Sequence, residues 1–187
     1  MNTTKKLSTS ALMTALATLL MLISKVIPAP WLQGGSVTLA SMVPIIFVGI
    51  LYGTRWGLCS SISFALIQMI TGFYPPPTQT LLYFVLVVLL DYIIAFGALG
   101  LSGMFHSLLG KKAFAVPLSA LIVTSLRYLC HIISGILIWG VYAPEGQSIF
   151  VYSLIYNGSY MIPEIILSTV ITTIIYKSKL FSLLKKD

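Results

Sequence analysis

The sequence predicts an all-α integral membrane protein of six transmembrane helices with both termini in the cytoplasm, and three observations predict it. Of the 187 residues 58% are hydrophobic and only 8% charged, against about 25% charged in an ordinary soluble domain. The mean hydropathy is +1.00. The apolar runs approach the roughly 20 residues that a helix needs to cross a bilayer, and the basic residues sit in alternate gaps between them. A cytosolic enzyme, a disordered chain and a secreted disulfide scaffold are all excluded by this composition. The whole chain, 1–187, reads as one domain.

Six spans occur in order. Residues 8–27 form the first, stopped by Pro28 and Pro30. The run is longer than the roughly 7–15 residues of a signal-peptide core, and further spans come after it, so it reads as a helix that stays. Residues 37–52 form a short second span. Residues 56–73 form the third, ended by Pro75, Pro76 and Pro77. The fourth covers 80–105, the fifth 113–139 and the sixth 149–176. Pro44 and Pro163 lie inside spans, where they kink a helix or loosen its first turn.

With the N-terminus inside, Lys5, Lys6, Arg55, Lys111, Lys112, Lys177, Lys179, Lys185 and Lys186 all fall on the cytoplasmic side. Lys25 alone falls outside, near a helix end from which its ammonium can reach the interface. The net charge of +7 therefore reports topology. No basic face with interleaved aromatic residues accompanies it, so nucleic acid is not an expected partner. Cys59 and Cys130 lie on different spans and read as free thiols. No GxxxxGK[ST] loop is present, so any ATP hydrolysis belongs to another chain. No HExxH or other metal-ligand spacing and no nucleophile–base pair appears, which argues against an enzyme and calls for neither cofactor nor metal.

Ionisable residues within a span are expensive and mark function. Asp91 lies on the fourth span, Arg127 and His131 on the fifth, and Glu164 on the sixth. Arg127 and His131 are spaced i, i+4, and Ser134, Gly135 and Trp139 continue their stripe. Asn157, Tyr160 and Glu164 share a face of the sixth span, and Tyr92 follows Asp91. Three polar and aromatic stripes pointed at one cavity would hold Asp91 and Glu164 against Arg127, a net charge of −1 that suits a monovalent organic cation. Tyr92, His131, Trp139 and Tyr152 offer ring faces to such a cation, and Asn157 offers a donor and an acceptor to a heteroaromatic edge. The structural alternative is that Arg127 pairs with Asp91 or Glu164 and ties helices together. Ala11 and Ala15, four apart on the first span, permit close approach of another helix.

These stretches resemble the thiamine-specific S-component of energy-coupling factor (ECF) vitamin transporters, the ThiT family, some members of which are labelled proton-coupled thiamine transporters. The resemblance is carried by Gln33-Gly34-Gly35-Ser36-Val37, by Leu89-Leu90-Asp91-Tyr92-Ile93, by LRYLCHIISG over 126–135, by Tyr142-Ala143-Pro144-Glu145-Gly146 and by Tyr152-Ser153-Leu154-Ile155-Tyr156-Asn157. It implies the ECF S-component fold in a bacterial plasma membrane, capture of thiamine from outside, and docking onto a coupling membrane protein that works with two ATPase subunits. Ala11-x-x-x-Ala15 matches the family's docking motif for that coupling protein. The family's ligand contacts map to the acid–Tyr pair Asp91-Tyr92, to His131 and Trp139, and to Tyr152 and Asn157. Asp91 stands where some members carry Glu, one methylene longer. A tryptophan that some members use in the first outer loop aligns with Gly35, and Trp31, four residues earlier, is the candidate substitute. Two rival readings share this scaffold: an S-component for another vitamin or a thiamine precursor, and a stand-alone proton-coupled thiamine carrier with Asp91, His131 or Glu164 as relay.

Overall fold

The computed structural model describes residues 2–26, 35–110, 112–178 and 181. Six helices run along the described chain: α1 (Thr3–Ser24), α2 (Met42–Tyr52), α3 (Thr54–Gly72), α4 (Leu81–Leu108), α5 (Ala115–Leu137) and α6 (Ile149–Lys177). A short 3-10 turn, Gly140–Tyr142, lies between α5 and α6. Helices α1, α4, α5 and α6 are each long and apolar enough to cross a membrane. Successive helices alternate in direction: Lys25 after α1 bonds to Thr71 at the end of α3, and Tyr74 after α3 packs on Trp139 after α5. Lys5, Arg55, Lys112 and Lys177 therefore gather at one end of the bundle, and the ends of α1, α3 and α5 meet at the other.

Each helix shows the logic of a lipid solvent. The inner face of α1 is small and polar: Ser10, Thr14, Ala17, Met21 and Ser24 are buried. Its leucines, Leu12, Leu16 and Leu19, point outward. Lipid tails are as apolar as leucine, so the bundle gains more from close backbone approach through small residues than from burying large ones. Ala11 and Ala15 are exposed on the outer face of this helix. Helix α2 is apolar on every side and central, with every residue from Met42 to Gly49 buried, as an all-round hydrophobic helix must be. Pro44 occupies its first turn, where an N–H would have no helical partner. Pro163 lies inside α6 and leaves one backbone carbonyl of that helix without its usual donor.

Among the described residues, regular helix gives way at two places that border a cavity at the end opposite the basic residues. The hydropathy pattern starts the second span at residue 37, yet the helix begins at Met42. Eleven residues rise only about 16 Å, roughly half of the ~30 Å hydrocarbon core. The preceding residues run as irregular backbone, with Ala40 at φ 59°. Side chains of other helices capture this backbone: Leu39 N–H donates to Ser24 Oγ at 2.8 Å and Thr38 N–H to Glu164 Oε2 at 2.6 Å. In α4, residues Val88–Ile94 form a π-helical stretch, a widened turn that recurs at functional sites. It contains Asp91 and Tyr92.

Toward the basic end, α2, α3 and α4 cross at glycines. The Ser102 hydroxyl donates to the Ile46 carbonyl at 2.9 Å. A Cβ on Gly100 would come within 2.6 Å of the Leu58 backbone nitrogen and 2.7 Å of the Gly57 carbonyl oxygen, so two backbones occupy the space that a side chain would need. Gly97, one turn earlier, has only ordinary contact with Ile62 at 3.5 Å. Gly100→Ala should therefore cost about 1–3 kcal/mol through overpacking, read as a lowered Tm of the purified protein in detergent, while Gly97→Ala should leave Tm unchanged. Equal behaviour of the two variants would contradict the tight crossing.

Candidate functional site

At the end of the bundle away from the basic residues, the helices enclose a cavity of about 220 Å³. Asp91, Tyr92, Arg127, His131, Trp139, Tyr152 and Asn157 all line it, so three helices do converge as their stripes suggested. Asp91 and Tyr92 come from the π-helical turn of α4. Arg127 and His131 come from α5, Trp139 from just beyond its end, and Tyr152 and Asn157 from the first half of α6.

The centre of the site is the Asp91 carboxylate. Its Oδ1 lies 3.0 Å from His131 Nδ1, and its Oδ2 accepts from Ser134 Oγ at 2.6 Å and from Trp139 Nε1 at 3.2 Å. Trp139 Nε1 also approaches Ser134 Oγ at 3.1 Å. A carboxylate only accepts, so His131 carries a proton on Nδ1 and donates it to Asp91, which leaves Nε2 an acceptor when the ring is neutral. That Nε2 is buried and has no partner among the described residues. One carboxylate thus orients both the imidazole and the indole.

The rings form the walls. Trp139 lies nearly parallel to Tyr142 at 6.4 Å between centroids and tilted against Tyr74 at 5.5 Å. Tyr152 leans on Tyr156 at 5.6 Å. Tyr92 is held from the side of α3: its hydroxyl accepts from Tyr74 N–H at 3.0 Å and donates to the Gly72 carbonyl at 3.3 Å. Asn157 ties α6 to α5, its Nδ2 donating to the His131 carbonyl at 3.1 Å and to the Ser153 carbonyl at 2.9 Å, while its Oδ1 accepts from Tyr160 OH at 2.6 Å.

The charges are arranged differently from the stripe reading. Glu164 does not line the cavity; it is 1% exposed and its two oxygens take Thr38 N–H and Thr38 Oγ1. Arg127 forms no ion pair with Asp91 or Glu164 among the described residues. Its guanidinium lies 4.2 Å over the Phe96 ring and meets Met42 Sδ at 2.9 Å. Lys25 joins the lining at the rim, with Nζ donating to the Thr71 carbonyl at 2.9 Å. The charged lining is therefore one carboxylate and two cations, each cation with a partner of its own: the Thr71 carbonyl for Lys25, Phe96 and Met42 for Arg127. Trp31 lies outside the described residues. Among the described residues no group of three His, Cys, Asp or Glu side chains is placed to hold a metal ion.

Sequence reasoning missed Ser36, Gln68, Tyr74 and Tyr156 in the lining. Gln68 was legible as the one amide on the third span. Ser36 and Tyr74 sit in links, where no periodicity assigns a face.

Asn157→Ala should remove one buried α5–α6 tie and lower stability by about 1–3 kcal/mol, because it takes a donor from buried carbonyls. Tyr128→Phe loses only an exposed bond to the Leu154 carbonyl and should cost well under half as much. Thermal unfolding of the two purified variants compares them.

The family described as "Thiamine transporter protein (Thia_YuaJ)" has a sequence model that matches residues 7–183. The thiamine transporter ThiT of Bacillus subtilis (strain 168) is 35% identical over 178 residues, 89% of this chain and 87% of that protein. ThiT of Lacticaseibacillus paracasei is 35% identical over 96 residues, 46% of each chain. Among solved structures, ThiT from Listeria monocytogenes shares the fold, with a TM-score of 0.71 at 24% identity, covering 94% of this chain and 96% of that one.

Proposed function

This chain belongs to the thiamine transporter protein family, and on that basis we propose that it is the membrane subunit that captures thiamine in the cavity around Asp91. In this reading the cavity opens to the outside, both termini face the cytoplasm, and the protein moves its ligand without transforming it. The energy comes from separate subunits, a coupling membrane protein and two ATPases.

The observation that carries the proposal is the Asp91 carboxylate set among His131, Ser134 and Trp139 in an aromatic-walled cavity. Thiazolium has a permanent charge that no proton transfer can remove. Once its water is stripped away it needs a carboxylate or ring faces. Asp91 supplies the first, and Trp139, Tyr74, Tyr152 and Tyr156 supply the second. Lys25 bonds to the Thr71 carbonyl and Arg127 lies over the Phe96 ring, so neither cation pairs with Asp91 among the described residues and the carboxylate stays available to the ligand's charge. The aminopyrimidine brings N–H donors and ring-nitrogen acceptors. The Asp91 carboxylate can accept from the former, and the tyrosine hydroxyls of the lining can donate to the latter.

The exposed outer face of α1, with Ala11 and Ala15, supports docking of the coupling protein. Small residues four apart let a partner helix come close in lipid, where packing and not water exclusion drives association.

Two experiments test this reading. Titration of the purified protein with thiamine should quench tryptophan fluorescence saturably through Trp139, and Asp91→Asn should weaken binding by well over tenfold, since a desolvated charge contact contributes about 2 kcal/mol or more. No quenching by thiamine, or an unchanged affinity in Asp91→Asn, would remove the proposed site. Ala15→Trp should bind thiamine as the wild type does yet abolish uptake in cells that hold the ATPase module. Normal uptake by that variant would exclude α1 as the docking surface.

A further inference from the structure

Glu164 is a buried acid in mid-helix that touches neither the cavity nor a cation among the described residues, and its position goes with the shortness of α2. Within the irregular stretch before Met42, Thr38 is 5% exposed, Ala40 5% and Ser41 1%, while Leu39 is exposed. A peptide N–H shut away from water costs a few kcal/mol unless it finds an acceptor. Each N–H from Thr38 to Ser41 has one. Thr38 N–H goes to Glu164 Oε2, Leu39 N–H to Ser24 Oγ, Ala40 N–H to the Thr38 carbonyl and Ser41 N–H to Thr38 Oγ1.

The arrangement centres on Thr38. Its hydroxyl donates to Glu164 Oε1 at 2.5 Å and thereby presents its lone pairs to Ser41 N–H at 3.2 Å and Ser41 Oγ at 2.8 Å. The segment is not at ease by itself. Ala40 sits in the left-handed region at φ 59°, which costs an L-residue about 1–2 kcal/mol. Gly35, at φ 105°, is pressed on the Tyr160 ring, so that a Cβ there would come within 2.6 Å of Cε1. Tyr160 and Glu164 are one turn apart on α6, so one face of that helix holds the segment at two points. Gly35, Ser36 and Thr38 then form one wall of the cavity.

We infer that Glu164 is a positioning residue: through Thr38 it fixes residues 35–41 as a wall of the ligand cavity, and it does not touch the ligand. The inference rests on the reading that thiamine occupies this cavity. A carboxylate is the group that suits the position, because two donors from one residue converge on it and it has nothing to donate in return. Glutamine would place an amide N–H2 against one of those donors.

The test uses the full-length purified protein and two kinds of readout. Stopped-flow tryptophan fluorescence gives the rate of thiamine release from wild type, Thr38→Val, Glu164→Gln, Glu164→Ala and the double variant Thr38→Val/Glu164→Ala. Release should quicken about tenfold in Thr38→Val and progressively from Glu164→Gln to Glu164→Ala, and the double variant should be no faster than Glu164→Ala alone. Unchanged release in Thr38→Val, or effects that multiply in the double variant, would mean that Glu164 acts on the ligand directly and would overturn the inference. Hydrogen exchange of ligand-free protein provides the second readout. Amides of 35–41 should exchange faster in Glu164→Gln than in wild type, while those of Asp91→Asn keep the wild-type rate; equal exchange in Glu164→Gln and wild type would also overturn it. Thr38→Val removes one hydroxyl without burying a new group, so the release test stands even if the Glu164 variants do not fold. A wild type without a thiamine signal would refute the thiamine reading, and the exchange comparison would still decide the anchor.

Discussion

A polar group carried into lipid must find its partner within the protein, and most of the particular geometry of this molecule stems from that requirement. Helices meet it for their own backbones, which is why the described chain is built of them. Where the chain leaves the helix, other side chains take over. Ser24 on α1 and Glu164 on α6 receive the N–H groups of the irregular segment before α2. Asn157 donates across to the His131 carbonyl of α5 and accepts from Tyr160 on its own helix. Asp91 gathers the imidazole, hydroxyl and indole donors at the mouth of α5. Each of these residues costs desolvation, and each sits where leaving it out would strand several other groups.

The same requirement separates two kinds of buried acid. Glu164 is saturated by one residue, Thr38, and is 1% exposed; its field acts on backbone. Asp91 has donors on both oxygens as well, but its side chain is 17% exposed to the cavity, and its partners His131 and Trp139 are themselves part of the lining. A cation entering the cavity meets Asp91 and the rings that Asp91 orients, and does not meet Glu164. Burial alone marks both acids as important, and only the identity of their donors assigns them different work.

Packing obeys the rule of a lipid solvent as well. Small side chains face inward on α1, and glycines carry the crossing of α2, α3 and α4. The close crossing toward the basic end lets the bundle open toward the other end, where bulky rings of Tyr74, Trp139, Tyr152 and Tyr156 surround a space instead of filling it.

Hydropathy is a local property that lipid reads directly, so the membrane class, the all-helical build and the four long apolar helices α1, α4, α5 and α6 were legible in the sequence. The meeting of Asp91, His131, Trp139 and Asn157 was legible too, since their stripes repeat at helical spacing. The same spacing grouped Glu164 with them, and there the fold differs. The helical period assigns a residue to a face, but the depth at which a neighbouring stretch of backbone crosses that face is set by the length of α2. That helix starts at Met42, and Thr38 bonds to Glu164 where the sequence pattern would have continued a helical turn. The widened turn at Asp91, the rim position of Lys25 and the contribution of Tyr74 from a link were likewise settled only in three dimensions. Each depends on contacts between segments that are far apart in the chain and carry no periodic signal of their own.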